Sequence, residues 1–253
     1  MAEKEFFMDP KLRFSSRVEN YIKYRPGYPQ EVIEFLKKEK ILLNDLIIAD
    51  IGSGTGILSE MFLKNGNIVY CVEPNKDMRT AAEKKLKNYS NFLSIDGSAE
   101  DTGLKDKSID LITAGQAFHW FDIVKTKEEF KRILKPSGYV ILIWNNRKKS
   151  SLGFPGEYEQ LILKYGKDYK YIRKREKNID KFFKFEKKIF HNHQDVNIEE
   201  FNGRICSTSY IPLENEPIFE KMMVDFENLF NKYQENGIVR IEYDTEAYYG
   251  KLK

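Results

Sequence analysis

The chain has 253 residues, 41% hydrophobic and 32% charged, with a net charge of only +3. That is enough for one sizeable domain with additions, and no repeat or low-complexity linker divides it. Two cysteines, Cys71 and Cys206, exclude a disulfide framework and fit a reducing compartment. No run approaches the ~20 apolar residues of a membrane span, and the charged start Met1-Ala2-Glu3-Lys4-Glu5 leads into no signal-peptide apolar region. A soluble cytoplasmic protein is expected.

The first readable segment is Phe14 to Pro29, where Pro26 and Pro29 fix two φ angles and stiffen a turn. Next comes Ile47-Ile48-Ala49-Asp50-Ile51, a buried apolar strand ending in an acid, followed by Gly52-Ser53-Gly54-Thr55-Gly56 and the start of a helix. Glycine lets the backbone turn sharply and lets a ligand lie against main-chain atoms that a Cβ would block. The helix start adds unpaired N–H groups and a positive dipole end. A dinucleotide fingerprint would need glycine or alanine where Ile57 stands, so the pattern is acid-x-G-x-G-x-G. Asp50 at the strand tip would repel a pyrophosphate but suits a ligand carrying positive charge.

The helix from Gly56 to Lys64 closes at Asn65-Gly66, a glycine C-cap. A second strand over residues 67–73 ends in Glu73, 21 residues after Gly52, where a carboxylate can accept hydrogen bonds from a ribose diol. Asn75 is placed to cap the helix 76–87, and Met78 lies one turn into it, either against an adenine face or in the core. Strands follow at 91–96 and 109–113, then a helix at 124–134 that ends in the turn Lys135-Pro136-Ser137-Gly138. Tyr139 to Trp144 is a continuous apolar run, as expected of a strand buried on both faces. Strand and helix alternate through the first 145 residues, which is the signature of a doubly wound parallel sheet.

The glycine turn, Glu73, Asp96-Gly97-Ser98-Ala99-Glu100, Ser108 to Phe121 and Phe130 to Gly138 follow one another at spacings that resemble class I S-adenosylmethionine-dependent methyltransferases. The segment Tyr24-Arg25-Pro26-Gly27-Tyr28-Pro29, combined with Gln116-Ala117-Phe118-His119-Trp120-Phe121-Asp122, is similar to the type-11 group, which includes trans-aconitate methyltransferase-like proteins. The resemblance implies a Rossmann-like, seven-stranded, mostly parallel sheet with an antiparallel C-terminal edge strand and helices on both faces. It also implies one domain: lid helices over residues 1–40, a cofactor-binding core over 41–150, a cap insertion over 151–187, and the end of the core sheet over 188–253. Helix 155–165 would begin the cap. Strand six would include Lys188 to His193, helix 219–233 would follow, and the last strand would lie near 238–243.

S-adenosyl-L-methionine is the implied cofactor. Its expected contacts are Tyr24, Arg25, Asp50, Gly52, Ser53, Gly54, Thr55, Gly56, Glu73, Pro74, Met78, Ser98, Ala99, Glu100, Gln116 and Ala117. Arg25 suits the methionine carboxylate, because its planar fork matches that group. Many relatives carry Asp at the position of Ser98, so the adenine contact there falls to the main chain of Ala99 and Glu100.

The favoured chemistry is O-methylation of a carboxylate or hydroxyl on a small molecule. A hydroxyl acceptor needs a general base, and His119, just beyond strand four, is the candidate, with packing as its other role. Phe14, Tyr21 and Trp120 are expected to wall the acceptor site, and Arg147 and Arg204 to meet an acidic acceptor. The basic stretch Lys164 to Lys188 carries Tyr165, Tyr169, Tyr171, Phe182 and Phe183, read as aromatics turned inward from a solvated lysine-rich face. An RNA-facing role for the same stretch is the alternative. Against it, Gly115-Gln116-Ala117-Phe118 stands where nucleic-acid amino-methylating relatives carry Asn/Asp-Pro-Pro-aromatic. A non-catalytic cofactor-binding protein is the other alternative. His191 and His193 share a strand face without a third suitable ligand, so no metal is expected.

Overall fold

The computed structural model describes residues 14–252 except 171 and 173–177. Seven strands form one sheet: β1 (Ile47–Ile51), β2 (Ile68–Val72), β3 (Phe92–Ile95), β4 (Ile109–Gly115), β5 (Leu134–Arg147), β6 (Glu186–Val196) and β7 (Val239–Gly250), in the order β3-β2-β1-β4-β5-β7-β6. The first five pair in parallel, and β7 runs antiparallel to both neighbours. The helices are α1 (Val18–Tyr24), α2 (Glu31–Lys38), α3 (Ile57–Lys64), α4 (Lys76–Leu86), α5 (Ile123–Ile133), α6 (Gly153–Tyr165), α7 (Ile179–Phe182), α8 (Ile198–Cys206) and α9 (Phe219–Tyr233).

Alternate side chains of each strand enter opposite cores, because the strand period is two. Ile48, Leu111 and Ile141 join Val32, Leu36 and Phe62 of α2 and α3 on one face. Ala49, Ile112 and Leu142 join Phe130 and Ile133 of α5 with Phe182 on the other. Both faces are therefore dry, and Val140 to Trp144 is no more than 3% exposed at any position. Each fully buried aliphatic side chain contributes about 1.5–3 kcal/mol. A third core joins α6, α8 and α9 to the ends of β6 and β7 through Tyr158, Phe201, Phe226 and Tyr243.

Three expectations change. The antiparallel strand is β7, but it is inserted between β5 and β6, so the sheet edge is β6. Of the twelve residues of β7, the first nine alternate between buried and more open positions, and the strand pairs along its length with both partners. The Lys135-Pro136-Ser137-Gly138 segment is not a turn ahead of the strand: β5 begins at Leu134, which pairs with Ile109, and the register slips before Leu111. Lys135 anchors this irregularity on Asp110 at 2.8 and 2.9 Å, and a Cβ on Gly138 would lie 2.8 Å from the Asp110 carbonyl. Arg147, placed beyond strand five from the sequence, is its last residue.

Among the described residues, no helix is long and apolar enough to cross a membrane, and no group of three His, Cys, Asp or Glu is arranged to hold a metal ion. Tyr165, Tyr169, Phe182 and Phe183 are all buried, as the inward reading of the basic stretch expects; Tyr171 lies outside the described residues.

Candidate functional site

The carboxyl ends of β1, β2 and β4 open onto a cleft, as ligand sites do in doubly wound sheets. At the tip of β1, the Gly52 and Ser53 N–H groups donate to the Val72 carbonyl at 2.8 and 3.2 Å, which bends the chain away from the sheet. Gly52 has φ +67°, and a Cβ there would sit 2.7 Å from that of Ala117. Gly54, at φ +56°, has open space where its Cβ would be. Glu73, 8% exposed, closes the loop: one carboxylate oxygen accepts from Gly54 N–H and the other from Asn75 N–H, both at 2.8 Å. Burial pushes the Glu73 carboxyl above its ordinary value against these bonds. Asn75 then caps α4 by accepting from Met78 N–H at 2.9 Å, and its amide donates to Ser15 at 3.1 Å.

The cleft is lined by Gly52, Gly54, Glu73, Pro74, Met78, Ser98, Ala99, Glu100, Gln116 and Ala117, with Phe14, Tyr21, Trp120 and Phe121 above them. Phe14 stands edge-on to both Tyr21 (5.9 Å) and Trp120 (6.2 Å), so the N-terminal segment lies across the opening. Beside the cleft is a small recess bounded by Arg25, Asp50, Ser53, Thr55 and Tyr28. The Ser53 and Thr55 hydroxyls and Nε of Arg25 are buried there without a hydrogen-bond partner. Asp50 is 1% exposed and accepts from Ser59 at 2.5 Å and Thr113 at 3.0 Å. Burial raises its carboxyl to about 7 in spite of both bonds.

A chamber adjoins the cleft across Phe14, Tyr21, Gln116 and Trp120, the four residues that line both. Its walls carry Arg25, His119, Asn145, Arg147, Lys149, Tyr169, Arg204 and Tyr210. Gln116 follows β4 at φ +56°, a left-handed conformation that a non-glycine residue seldom adopts. Its N–H donates to Ile143 O at 2.9 Å and its amide to Asn145 O at 3.3 Å. His119 is 8% exposed, with its ring 4.6 Å from that of Trp120. Arg147 stacks on Tyr158 at 4.4 Å and pairs with Glu159 at 3.0 Å, while Lys149 and Tyr169 bond the same carboxylate. Arg204, only 5% exposed, donates to Thr208 at 3.0 Å and has an unpartnered Nε.

Two expected ligand residues lie elsewhere. Tyr24 turns away from the cleft: its hydroxyl donates to Glu199 at 3.0 Å and its ring packs on Gly203 of α8, so it joins two helices. Gly56, at φ +76°, is the N-cap of α3, and a Cβ on it would lie 2.5 Å from Leu86; its bareness serves the packing of α3 on α4. Asn145 and Lys149 are not singled out as chamber residues from the sequence, and Tyr169 is read there only as an inward-turned aromatic. Asn145 carried a signal, a polar residue breaking the apolar run of β5, and it holds the Gly27 carbonyl at 3.0 Å, which seats the proline turn. Tyr210 closes the segment Ile198 to Tyr210, which resembles the family's return toward the substrate mouth, and it stands on the chamber wall.

Residues 49–142 match the family model for a methyltransferase domain. Residues 49–142 are thus a methyltransferase domain of the type-11 group. An uncharacterized methyltransferase of Mycobacterium tuberculosis is 33% identical over 167 residues, covering 66% of this chain and 64% of that protein. One from Schizosaccharomyces pombe is 33% identical over 138 residues, 54% of each chain. The chain thus spans less than two thirds of the length of these curated relatives. A solved structure from Anaeromyxobacter dehalogenans, a provisionally named type II methyltransferase, shares the fold at TM-score 0.69 and 17% identity, over 90% of this chain and 98% of that one.

S-adenosylmethionine is the cofactor of this family, and the cleft fits it. The bare face of Gly54 leaves room for close approach, Glu73 is at hand for a sugar diol, and the recess holds three buried polar atoms that lack partners.

Proposed function

We propose that this methyltransferase acts on a small molecule, by O-methylation of a carboxylate or hydroxyl, with S-adenosylmethionine as donor. The observation that carries this reading is the chamber: it shares a four-residue wall with the cofactor cleft and its lining is cationic and aromatic. Bound S-adenosylmethionine supplies an electrophilic methyl on a sulfonium that departs as a neutral thioether. Glu73 would hold the ribose, Met78 and Ala99 flank the adenine, and Arg25 with Ser53 and Thr55 take the amino-acid end. Phe14, Tyr21 and Trp120 cover the junction and exclude water. Alignment of this kind lowers a barrier by about 7–11 kcal/mol.

A carboxylate acceptor is already nucleophilic at neutral pH and needs only positioning, the task we assign to Arg147 and Arg204. A hydroxyl acceptor needs its proton removed, and His119 faces the same chamber. The burial of Tyr165, Tyr169, Phe182 and Phe183 supports a small acceptor over RNA, since bases would need such rings exposed for stacking. The test is a labelled-methyl screen of metabolite acids, phenols and amines, repeated with His119→Ala and Arg147→Ala. Turnover of a hydroxyl acceptor should fall at least 100-fold in His119→Ala, and KM should rise only for acids in Arg147→Ala. Cofactor binding with no acceptor turned over would sink the catalytic reading.

A further inference from the structure

The two arginines of the chamber that lack a carboxylate belong to different elements. Arg25 ends α1 and Arg204 lies in the last turn of α8. Arg147, by contrast, shares the Glu159 carboxylate with Lys149. Among the described residues no Asp or Glu pairs with Arg25 or Arg204. Arg25 donates to the Ser207 carbonyl at 2.8 Å and Arg204 to the Thr208 hydroxyl at 3.0 Å, so both bonds end on the short segment after α8. Nε of each is buried and unpartnered. The like charge of Arg204, after burial, helps lower the Arg25 guanidinium to about 10. Tyr243, Tyr158 and Tyr210 favour the charge of Arg204 in spite of its burial, so the cost of the buried pair falls on Arg25, and an anion reached by both arginines would offset it.

We propose that Arg25 and Arg204 form one carboxylate seat, and that the bound carboxylate pins the N-terminal helix α1 to the cap helix α8. The inference deepens the proposed function and rests on its reading of the chamber. The contacts between the helices already prepare the closure. Arg17 donates to the Cys206 and Ile211 carbonyls, the Tyr24 ring packs on Gly203, and the Gln194 side chain holds the Tyr24 carbonyl at 3.2 Å. Against these contacts stands the like charge of Arg204 on Arg25. An anion there turns repulsion into a bridge, so ligand binding and lid closure become one event. The carboxylate can come from the amino-acid tail of the cofactor, since Arg25 also borders the recess, or from the acceptor, since Arg204 borders only the chamber.

The experiment uses the full chain and its Arg204→Met, Arg204→Lys and Arg25→Met variants. Calorimetry gives the Kd of S-adenosylhomocysteine, ligand-observed NMR gives those of sodium benzoate and benzamide, and amide exchange follows Val18 to Tyr24. If the cofactor supplies the anion, Arg204→Met weakens S-adenosylhomocysteine at least tenfold. If the acceptor supplies it, benzoate weakens at least tenfold while S-adenosylhomocysteine changes less than threefold. In either case the bound carboxylate slows exchange in α1 of the wild type at least tenfold and not in Arg204→Met. Arg25→Met, on the other element, shows the same losses, and Arg204→Lys recovers to within threefold. The seat is refuted if neither carboxylate responds to Arg204→Met in folded protein, if benzamide behaves as benzoate does, or if the wild type takes neither ligand. Absence of S-adenosylhomocysteine binding alone would remove the methyltransferase reading, and the benzoate arm would still decide the seat.

Discussion

Replacing Asp50 with asparagine separates the cost of a buried charge from the hydrogen bonds it makes. Asp50 sits at the tip of β1, 1% exposed, with its carboxylate against Ser59 and Thr113. Burial lifts its carboxyl from 3.8 to about 7, the two hydroxyls pull it down, and the nearby Glu73 carboxylate pushes it up. Tyr28 and Arg25 border the same recess, and Cys71, whose thiol burial and Asp50 together raise, lies on the neighbouring strand. A folded value above the unfolded one means that the unfolded chain releases its proton first. Stability is therefore fully present below about 4, falls as pH rises, and levels off above about 7. The interval corresponds to about 4 kcal/mol.

The carboxamide of the Asp50→Asn variant does not titrate; one hydroxyl can go on donating to its carbonyl oxygen while the other turns to accept from its NH2. The stability of the variant relative to the wild type should therefore climb by about 1.4 kcal/mol per pH unit between about 4 and 7. Between pH 5 and pH 8 the relative gain should be about 2–3 kcal/mol. Urea unfolding of both proteins at pH 5, 6, 7 and 8, without cofactor, measures it. A difference that stays constant across that range would refute the reasoning, because it would place the charge of Asp50 outside the energetics of the fold.

Two further perturbations test the glycine loop. Gly56→Ala puts a Cβ at φ +76° and 2.5 Å from Leu86, so left-handed strain of about 1–2 kcal/mol adds to about 1–3 kcal/mol of overpacking; a chemical denaturation shift below 1 kcal/mol would show that α3 yields freely. Glu73→Ala leaves the Gly54 and Asn75 N–H groups without their acceptor at about 1–3 kcal/mol each, so stability should fall by about 2–6 kcal/mol together with S-adenosylhomocysteine affinity. Wild-type stability with lost affinity would restrict Glu73 to the ligand.

Features that depend on neighbours along the chain were legible in the residues alone. Three alternate glycines after an acid dictate a bent βα turn, an apolar run of six dictates a strand dry on both faces, and Asn before a helix dictates its cap. Glu73 and Met78 were placed by that order, since parallel strands bring their carboxyl ends to one edge, and Ala99 and Gln116 by the resemblance to the methyltransferase family. The local pattern could not assign side chains whose partners are remote. Tyr24 and Gly56 carry the right residue types beside the right motifs, yet Gly203 and Leu86 claim them for packing. Arg25 meets Ser207 across 182 positions, and Arg204 gains its meaning only from Arg25. The insertion of β7 between β5 and β6 likewise belongs to the tertiary level, since a strand's alternation tells which face is dry and not which neighbour it pairs with. Spacing along a backbone constrains conformation within a few residues; a chamber built from α1, β5 and α8 exists only once the chain has closed on itself.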